Sequence, residues 1–260
     1  MVPKPIPVSV QQEGLLRWPA WKVAVLTSAL PIVSFASCVA ISFLYNFEKS
    51  VSTHCNVANY LPTVSAAISL SPQRYIWRFG IALHTTLRLM WTAIYYNYYK
   101  KTGHPNPFPW FLWLCRLSFI LQCVEILSLL GLTVVASKEY KVLHENLFVS
   151  FMVTSLLYML LMCIQYYLSK RKSWSEFQPQ ERQQQYRLVL LFLVNISTFF
   201  ISIYFFFRHN WYCEPGIYSL YALFEYLVII SNIGFHVAEA YELMSKEFIF
   251  GAVRVEDKSH

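Results

Sequence analysis

Six stretches of the sequence are each apolar for long enough to cross a lipid bilayer, and together they take up most of its 260 residues. A membrane-spanning helix needs about 20 mostly apolar residues, because lipid offers no water to hydrogen-bond unpaired backbone groups. The sequence therefore predicts an all-α polytopic membrane protein with six transmembrane helices, folded as one domain over residues 1–260. Since only 13% of the residues are charged, little of the chain is left for a soluble catalytic domain. The predicted helices cover residues 21–47, 75–99, 111–136, 146–168, 188–207 and 217–241.

The basic residues are distributed unequally between the two sides of this predicted bundle. The side that holds the two termini and the second and fourth loops has thirteen Lys and Arg residues, with Lys22 at the start of the first helix included. The side that holds the first, third and fifth loops has six, with Arg78 near the start of the second helix included. Loops rich in Lys and Arg stay on the cytosolic side of a membrane, so both termini are expected in the cytosol and the other three loops in a lumen. The net charge of +7 follows from this bias and from attraction to anionic lipid, and no nucleic-acid partner is expected.

Two of the six cysteines, Cys55 and Cys213, fall in predicted lumenal loops, and the other four lie in predicted helices. An oxidising lumen would allow these two residues to form a disulfide bond. No two cysteines have the Cys-x-x-Cys spacing of a structural zinc site. Neither a metal nor another cofactor is therefore expected.

Ionisable and polar residues also occur inside the predicted helices, where each needs a partner or a function because charge is costly in lipid. At about 100° per residue, they form a stripe on one face of the second helix and another on one face of the sixth. The third helix places Glu125 near its middle. The first stripe consists of Arg74, Arg78, His84 and Arg88, and the second of Tyr218, Tyr221, Glu225, Asn232, His236 and Glu239.

Two interpretations of the charged residues remain open. In one, they satisfy each other, and Arg88 forms a structural ion pair with Glu125 near the bilayer midplane. In the other, the lumenal half of the first stripe binds a lipid headgroup, because Arg78 lies at the depth of a lipid phosphate. A planar guanidinium suits phosphate better than the point charge of lysine does.

Histidines provide candidates for acid–base chemistry. His54, His144 and His209 lie in predicted lumenal loops, with Glu145 next to His144, and His84 lies just inside the second helix. A histidine with a nearby carboxylate can act as the general base in acyl transfer. The sequence lacks the Gly-x-Ser-x-Gly, His-x4-Asp and His-Glu-x-x-His motifs, so the pattern is not specific. A solvated or structural role is the simpler interpretation for each histidine taken alone.

The predicted lumenal segments carry a resemblance to a known family. Four runs stand out: THCNVANYLPTVS at residues 53–65, PQRYIWRF at 72–79, HEN at 144–146 and FRHNWYCEPGIY at 207–218. These runs resemble those of the post-GPI attachment to proteins factor 2 family, part of the wider family that includes DRAM and yeast Sfk proteins. The resemblance covers essentially the whole chain.

This resemblance implies a role in the lipid remodelling of glycosylphosphatidylinositol (GPI) anchors in the secretory pathway. It implies that an unsaturated sn-2 chain has been removed from the anchor and that a saturated chain is restored. The implied partners are GPI-anchored proteins or lyso-GPI lipid, membrane lipid and an acyl donor that the sequence does not identify. The implied location is the Golgi membrane or the endoplasmic reticulum membrane. Arg74, Arg78 and Arg208 would then contact the anchor phosphate.

Two functional hypotheses follow. In the first, the protein is a lyso-GPI acyltransferase that uses one of the histidines at positions 54, 84, 144 and 209, or Glu145, for proton transfer. In the second, it is a non-catalytic factor that binds or transports lyso-GPI and presents it to a separate enzyme. A channel or transporter is a weaker third hypothesis, because no pair of Gly- or Pro-broken helices occupies matching positions in two halves of the chain.

Overall fold

The computed structural model describes residues 16–102, 109–135, 140–170 and 178–250. In the described ranges, five helices are long and apolar enough to cross a membrane, so the chain is a mostly helical, multi-pass membrane protein. These five helices cover Ala20–Tyr45, Phe111–Val134, Lys141–Lys170, Pro179–Tyr212 and Ile217–Leu243. The elements in chain order are strand β1 (Leu16–Pro19), helices α1 (Ala20–Tyr45), α2 (Phe47–Val51), α3 (Val64–Ala67), α4 (Gln73–Thr102), α5 (Phe111–Val134), α6 (Lys141–Lys170), α7 (Pro179–Tyr212) and α8 (Ile217–Ala240), the 3-10 turn (Tyr241–Leu243) and strand β2 (Glu247–Phe250).

Helix α4 is as long as the apolar helices but more polar. Its 30 residues make it about 45 Å long at about 1.5 Å per residue. Five of these residues are Lys or Arg, which lowers its mean hydropathy. It nevertheless packs lengthwise between α1 and α5. Its position in the bundle is therefore equivalent to that of the other long helices.

The six long helices form a closed ring around a central cavity. Contacts run from α1 to α4, α5, α6, α7 and α8, and from α8 back to α1. Successive helices of this ring run in opposite directions, which gives the bundle two distinct ends. The disulfide end carries α2, α3 and the bond between Cys55 and Cys213, and the sheet end carries the paired strands β1 and β2.

Some helices extend beyond the apolar stretches that predict them. Helix α7 covers Pro179–Tyr212 instead of residues 188–207, and α6 also begins earlier than expected. A capping box starts α7: the Gln178 side chain accepts from the backbone N–H of Glu181, and the Glu181 side chain accepts from that of Gln178. Hydropathy does not reveal such polar turns. Residue 136, the predicted end of the third helix, lies outside the described residues, as does much of both predicted cytosolic termini.

The expectation of a purely helical chain missed a small sheet. Strands β1 and β2 pair in antiparallel fashion at the sheet end, with Pro19 opposite Glu247. Trp91 of α4 packs against Phe248 of β2, and the two ring centroids are 5.0 Å apart. The sheet therefore joins the start of α1 to the end of the chain that follows α8. Strands of four residues are too short to show a clear period in the sequence.

The loop before α4 is attached to the start of α8 at the disulfide end. Cys55 and Cys213 are bonded, with their Cα atoms 5.4 Å apart. Further hydrogen bonds hold the short helix α3 in the wall of the central cavity. They join Gly216 N to Ala58 O (2.9 Å), Tyr60 N to Ser219 Oγ (2.7 Å), Val64 N to Glu225 Oε2 (2.8 Å) and the Tyr226 hydroxyl to Pro62 O (2.6 Å).

Helices α1 and α4 come unusually close at Gly80. A Cβ atom at this position would lie 1.9 Å from Ser34 Oγ and 2.9 Å from Ser34 Cβ, well inside contact distance. Small residues allow this kind of approach where membrane helices pack together. The close contact sets how far α4, with its polar stripe, lies from α1.

We expect Gly80→Ala to destabilise the bundle, because the added methyl group forces α1 and α4 apart at a cost of about 1–3 kcal/mol. The measurement is the thermal unfolding midpoint of the purified protein in detergent. Gly234→Ala is the matched control, since its Cβ would lie 3.4 Å from a methyl group of Leu191, which is ordinary contact. Equal midpoints for the two variants would contradict the close packing at Gly80.

Candidate functional site

The central cavity is large and mainly apolar. Its empty space, with its opening included, measures about 1050 Å³. Pockets for small molecules and cofactors are lined mostly by hydrophobic side chains. All six long helices and α3 contribute to the wall, so the cavity is a property of the whole ring. Its apolar lining includes Trp77, Phe148, Phe151, Phe199, Val228 and Ile229.

A smaller pocket adjoins this cavity near the disulfide end, and we call it the arginine pocket. It measures about 330 Å³ and is lined by Arg74, Arg78, Ser65, Ser69 and His144, among others. Six residues belong to the walls of both spaces, so the arginine pocket and the apolar cavity are neighbours. The shared residues are Ser65, Ile68, Trp77, Leu132, Thr133 and His144.

Backbone carbonyls hold both arginines of this pocket. Arg74 donates from Nε and Nη2 to the carbonyl of Ser69, at 3.0 and 2.6 Å. Arg78 donates from Nε to Thr133 O at 3.2 Å and from Nη2 to Val134 O at 2.7 Å. The latter carbonyls lie at the C-terminal end of α5, where helix carbonyls lack intrahelical partners and the helix dipole is negative.

The Arg78 guanidinium is thus fixed in place while its charge is retained. In the part of the chain that the structure describes, no carboxylate pairs with it. Two of its five N–H groups are used by the carbonyls, which leaves three for another acceptor. A fixed guanidinium with spare donors is well suited to bind a phosphate.

Arg208 lies apart from the arginine pocket, although the sequence grouped it with the phosphate contacts. Its Nε and Nη2 donate to the two carboxylate oxygens of Glu214 at 2.8 and 3.2 Å, and its Nη1 donates to the Tyr204 hydroxyl at 3.1 Å. It lines neither the cavity nor the pocket. Its charge is already balanced by a two-pronged ion pair with Glu214.

His144 is the histidine that the structure brings into the arginine pocket. Its Nδ1 lies 2.8 Å from Val135 O and its Nε2 lies 3.5 Å from Ser65 Oγ. The expected partnership of His144 with Glu145 is not formed. Glu145 is exposed and lies 3.8 Å from Lys141 on the outer surface of α6.

His84 lines the central cavity more deeply than His144. Its Nδ1 lies 2.7 Å from Thr27 O, and because a carbonyl can only accept, this nitrogen carries the proton. The bond ties α4 to α1, which is a structural function. Along α4, His84 lies about 9 Å from Arg78 at about 1.5 Å per residue, so it is distant from the arginine pocket.

His54 and His209 lie together beside the disulfide. Their ring centroids are 5.8 Å apart, and His209 Nε2 lies 3.1 Å from Thr53 Oγ1. In the described ranges, the cluster of side chains close enough to share a metal ion is that of His54 with Cys55 and Cys213. Its two sulfur atoms are bonded to each other, so they provide no thiolate ligand. Neither histidine lines the cavity.

A buried polar network crosses the middle of the ring. Arg88 donates from Nη1 to Glu125 Oε1 at 3.1 Å and from Nη2 to His236 Nε2 at 2.7 Å. His236 therefore carries its proton on Nδ1, which donates to Glu239 Oε2 at 3.2 Å. The Tyr158 hydroxyl donates to the other oxygen of Glu239. This network joins α4, α5, α6 and α8.

The polar stripe of α8 faces the interior. Asn232 donates to Ser155 Oγ of α6 at 2.7 Å. Glu225 accepts from the backbone N–H of Val64 at 2.8 Å and from the Tyr221 hydroxyl at 3.4 Å. Both Asn232 and Glu225 line the central cavity. Glu225 therefore fixes the position of α3, because it accepts the hydrogen bond from the first residue of that helix.

Sequence reasoning missed Ser65 as a site residue. Ser65 ends the first of the family-like runs, but nothing in its neighbours indicates a contact with His144, 79 positions further along the chain. The contact depends on α3, a helix of four residues that has no periodic pattern of its own. One residue in the sequence could have indicated α3: Thr63 is a typical N-cap residue. Its side-chain oxygen accepts a hydrogen bond from Ala66 N at 3.2 Å at the start of this helix.

Comparison with known proteins gives an independent result. Residues 19–246 match the family model described as Frag1/DRAM/Sfk1/Cwh43P N-terminal domain. The chain is similar to Acyltransferase PGAP2 of Xenopus tropicalis, with 40% identity over 87% of this chain and 88% of that protein. It is 36% identical to Post-GPI attachment to proteins factor 2 of Drosophila melanogaster, over 92% of this chain and 91% of the relative. The Caenorhabditis elegans protein of the same name is 35% identical to this chain, over 91% of this chain and 90% of the relative. No solved structure matches the chain.

We expect Arg88→Ala to lower protein abundance in cells by several-fold, because it removes the arginine partner of the buried Glu125 at a cost of about 3–5 kcal/mol. Arg116→Ala on α5 is the control, since that exposed guanidinium lies over Trp113 at 5.1 Å from its ring. Replacing both partners, as in Arg88→Met with Glu125→Leu, should recover part of the abundance. Normal abundance of Arg88→Ala would show that the pair is not structural.

Proposed function

The chain belongs to the Frag1/DRAM/Sfk1/Cwh43P family and, within it, to the post-GPI attachment to proteins factor 2 proteins, and on that premise we propose that it reacylates lyso-GPI. A role in GPI-anchor remodelling follows from the names of its relatives. Two relatives carry the name acyltransferase, which supports the finer proposal that the protein transfers the acyl group itself. The acceptor would be the sn-2 hydroxyl of lyso-GPI.

All six long helices span the membrane in this proposal, with the disulfide end in the lumen of the Golgi or endoplasmic reticulum and both termini in the cytosol. The disulfide supports this orientation, because such bonds persist in oxidising compartments. Helix α4 supports the sixth span, since it packs between α1 and α5 and turns Arg88, the charged residue near its middle, inward to 3% exposure.

One observation carries the proposal: an apolar cavity adjoins a pocket that contains a fixed arginine and a histidine. A lysolipid has the same division, with a hydrocarbon chain on one side and a phosphate on the other. The chain would occupy the cavity beside Phe148 and Phe199, and the phosphate would bind Arg78. This arrangement would hold the lipid at the lumenal boundary of the ring.

The position of His144 favours catalysis at this boundary. In a lysophospholipid, the sn-2 hydroxyl is on the carbon next to the one that carries the phosphate. A phosphate bound by Arg78 therefore brings this hydroxyl towards His144, which lines the same pocket. With Nδ1 donating to Val135 O, His144 Nε2 has a lone pair that can accept the hydroxyl proton.

The second candidate function is a non-catalytic carrier that presents lyso-GPI to another enzyme. One observation favours it: a carbonyl, and not a carboxylate, orients His144, and Glu145 points away. A carbonyl fixes the ring but stabilises a protonated imidazole less than a carboxylate does. A carrier needs the apolar cavity and Arg78 but no proton acceptor.

The two functions differ in a reconstituted assay. The full-length protein is purified into lipid nanodiscs and supplied with lyso-GPI together with either a long-chain acyl thioester or a diacyl phospholipid as donor. Formation of diacyl GPI, detected by mass spectrometry, supports the acyltransferase. Binding of lyso-GPI without product from either donor supports the carrier.

We expect Arg78→Lys to lower reacylation by roughly 10- to 150-fold, the equivalent of about 1.5–3 kcal/mol for a hydrogen bond to a charged group. The lysine ammonium is a point charge and lacks the planar guanidinium of arginine, so it cannot bind the two carbonyls and a phosphate in the same geometry. The measurement is the acyl composition of GPI anchors, together with protein abundance, in cells that lack the native protein. Arg208→Lys is the control and should remain active, because Arg208 pairs with Glu214 outside the pocket. Full activity of Arg78→Lys would refute the assignment of the phosphate site.

A further inference from the structure

Ser65 and His144 have the geometry of a nucleophile and its base. Ser65 Oγ lies 3.5 Å from His144 Nε2, and His144 Nδ1 lies 2.8 Å from Val135 O. The carbonyl of Val135 cannot donate, so Nδ1 carries the proton and Nε2 is left as an acceptor. The Ser65 hydroxyl must then be the donor in the contact with His144. Such contacts are often long before substrate binds and shorten in the reacting complex.

We infer that Ser65 is the nucleophile that carries the acyl group from the donor to the lipid, an inference that rests on the proposed acyltransferase function. The required parts are a hydroxyl, a base within reach and a group that orients the base. Ser65, His144 and the carbonyl of Val135 supply them in that order. Motif searches miss this set because its three members come from α3, from α6 and from the end of α5.

The surroundings hold Ser65 at this position. The residue before it, Val64, donates its N–H to Glu225 Oε2 at 2.8 Å, and Thr63 caps the N–H of Ala66. These bonds fix both neighbours of Ser65 on α3. Glu225 is therefore a positioning residue, because it acts on the reaction through α3.

The location of Ser65 also matches the substrates. Ser65 and His144 belong to the walls of both the central cavity and the arginine pocket. With a hydrocarbon chain in the cavity and a phosphate at Arg78, the ester group of a lipid would lie between them. The apolar wall of the cavity would limit the access of water and so limit hydrolysis of an acyl-serine.

The reaction would proceed in two balanced halves. In the first, Ser65 Oγ attacks the carbonyl carbon of the donor, its proton passes to His144 Nε2, and the bond to the donor's oxygen or sulfur breaks. The leaving group takes the proton from His144. In the second, the sn-2 hydroxyl of lyso-GPI gives its proton to His144 and attacks the acyl carbon, and the departing Ser65 Oγ recovers the proton. Each half exchanges one ester or thioester bond for another.

The test is a search for the acyl-enzyme. The full-length protein in nanodiscs is incubated with radiolabelled acyl thioester or labelled diacyl phospholipid, without acceptor, and then digested for peptide mass spectrometry. We expect one acyl group on Ser65, which moves to lipid when lyso-GPI is added. Ser65→Ala should lose this label and lower turnover by at least about 100-fold. Ser150→Ala is the control, because its hydroxyl contacts Ser128 Oγ at 2.9 Å and no histidine.

Ser65→Cys keeps the test decisive if Ser65→Ala folds poorly. This variant should accumulate an acyl group that neutral hydroxylamine removes, since hydroxylamine cleaves thioesters and spares oxygen esters. Full turnover by Ser65→Ala, or a label that never maps to position 65 in an active protein, would overturn the inference while the acyltransferase function stands. A wild-type protein that binds lyso-GPI but forms no product from either donor would refute both.

Discussion

The ion pair of Arg88 with Glu125 is the constraint on which the rest of this bundle depends. A charge at this depth cannot be solvated by lipid, so α4 must turn its polar face towards α5 and α8. The contact with His236 then fixes the facing surface of α8. The same arginine lines both the apolar cavity and a second pocket of about 450 Å³ towards the sheet end. It therefore marks the inner limit of the space that a lipid chain can occupy from the disulfide end.

The arginines nearer the disulfide end differ in what balances their charge. Arg208 has a carboxylate partner in Glu214, which satisfies its charge and its planar fork together. Arg78 is held by the carbonyls of Thr133 and Val134, whose partial negative charge orients the guanidinium without neutralising it. An anion therefore gains more by binding Arg78 than by competing with Glu214. This difference follows from local partners, and neither depth in the membrane nor residue type reveals it.

The sequence was sufficient wherever the determining pattern is local. The long helices follow from their apolar stretches. The approach of Arg88 to Glu125 follows from their positions, because each residue lies near the middle of its helix and so at a similar depth in the membrane. The ends of α7 were missed, because a polar capping box lies outside the apolar pattern. The contact of Ser65 with His144 was missed for a different reason: it depends on hydrogen bonds from the first loop to α8, between residues more than 150 positions apart. No window along the sequence contains that information.

The central claim is that the cavity and the arginine pocket together hold one lysolipid, with its phosphate at Arg78 and its free hydroxyl at His144. An electron cryomicroscopy structure of the full-length protein in nanodiscs with lyso-GPI tests this claim directly. The account predicts density for a hydrocarbon chain among Phe148, Phe151 and Phe199, and a phosphate within hydrogen-bond distance of the Arg78 guanidinium. A lipid bound on the outer surface of the ring, with the cavity empty and Arg78 uncontacted, would contradict it.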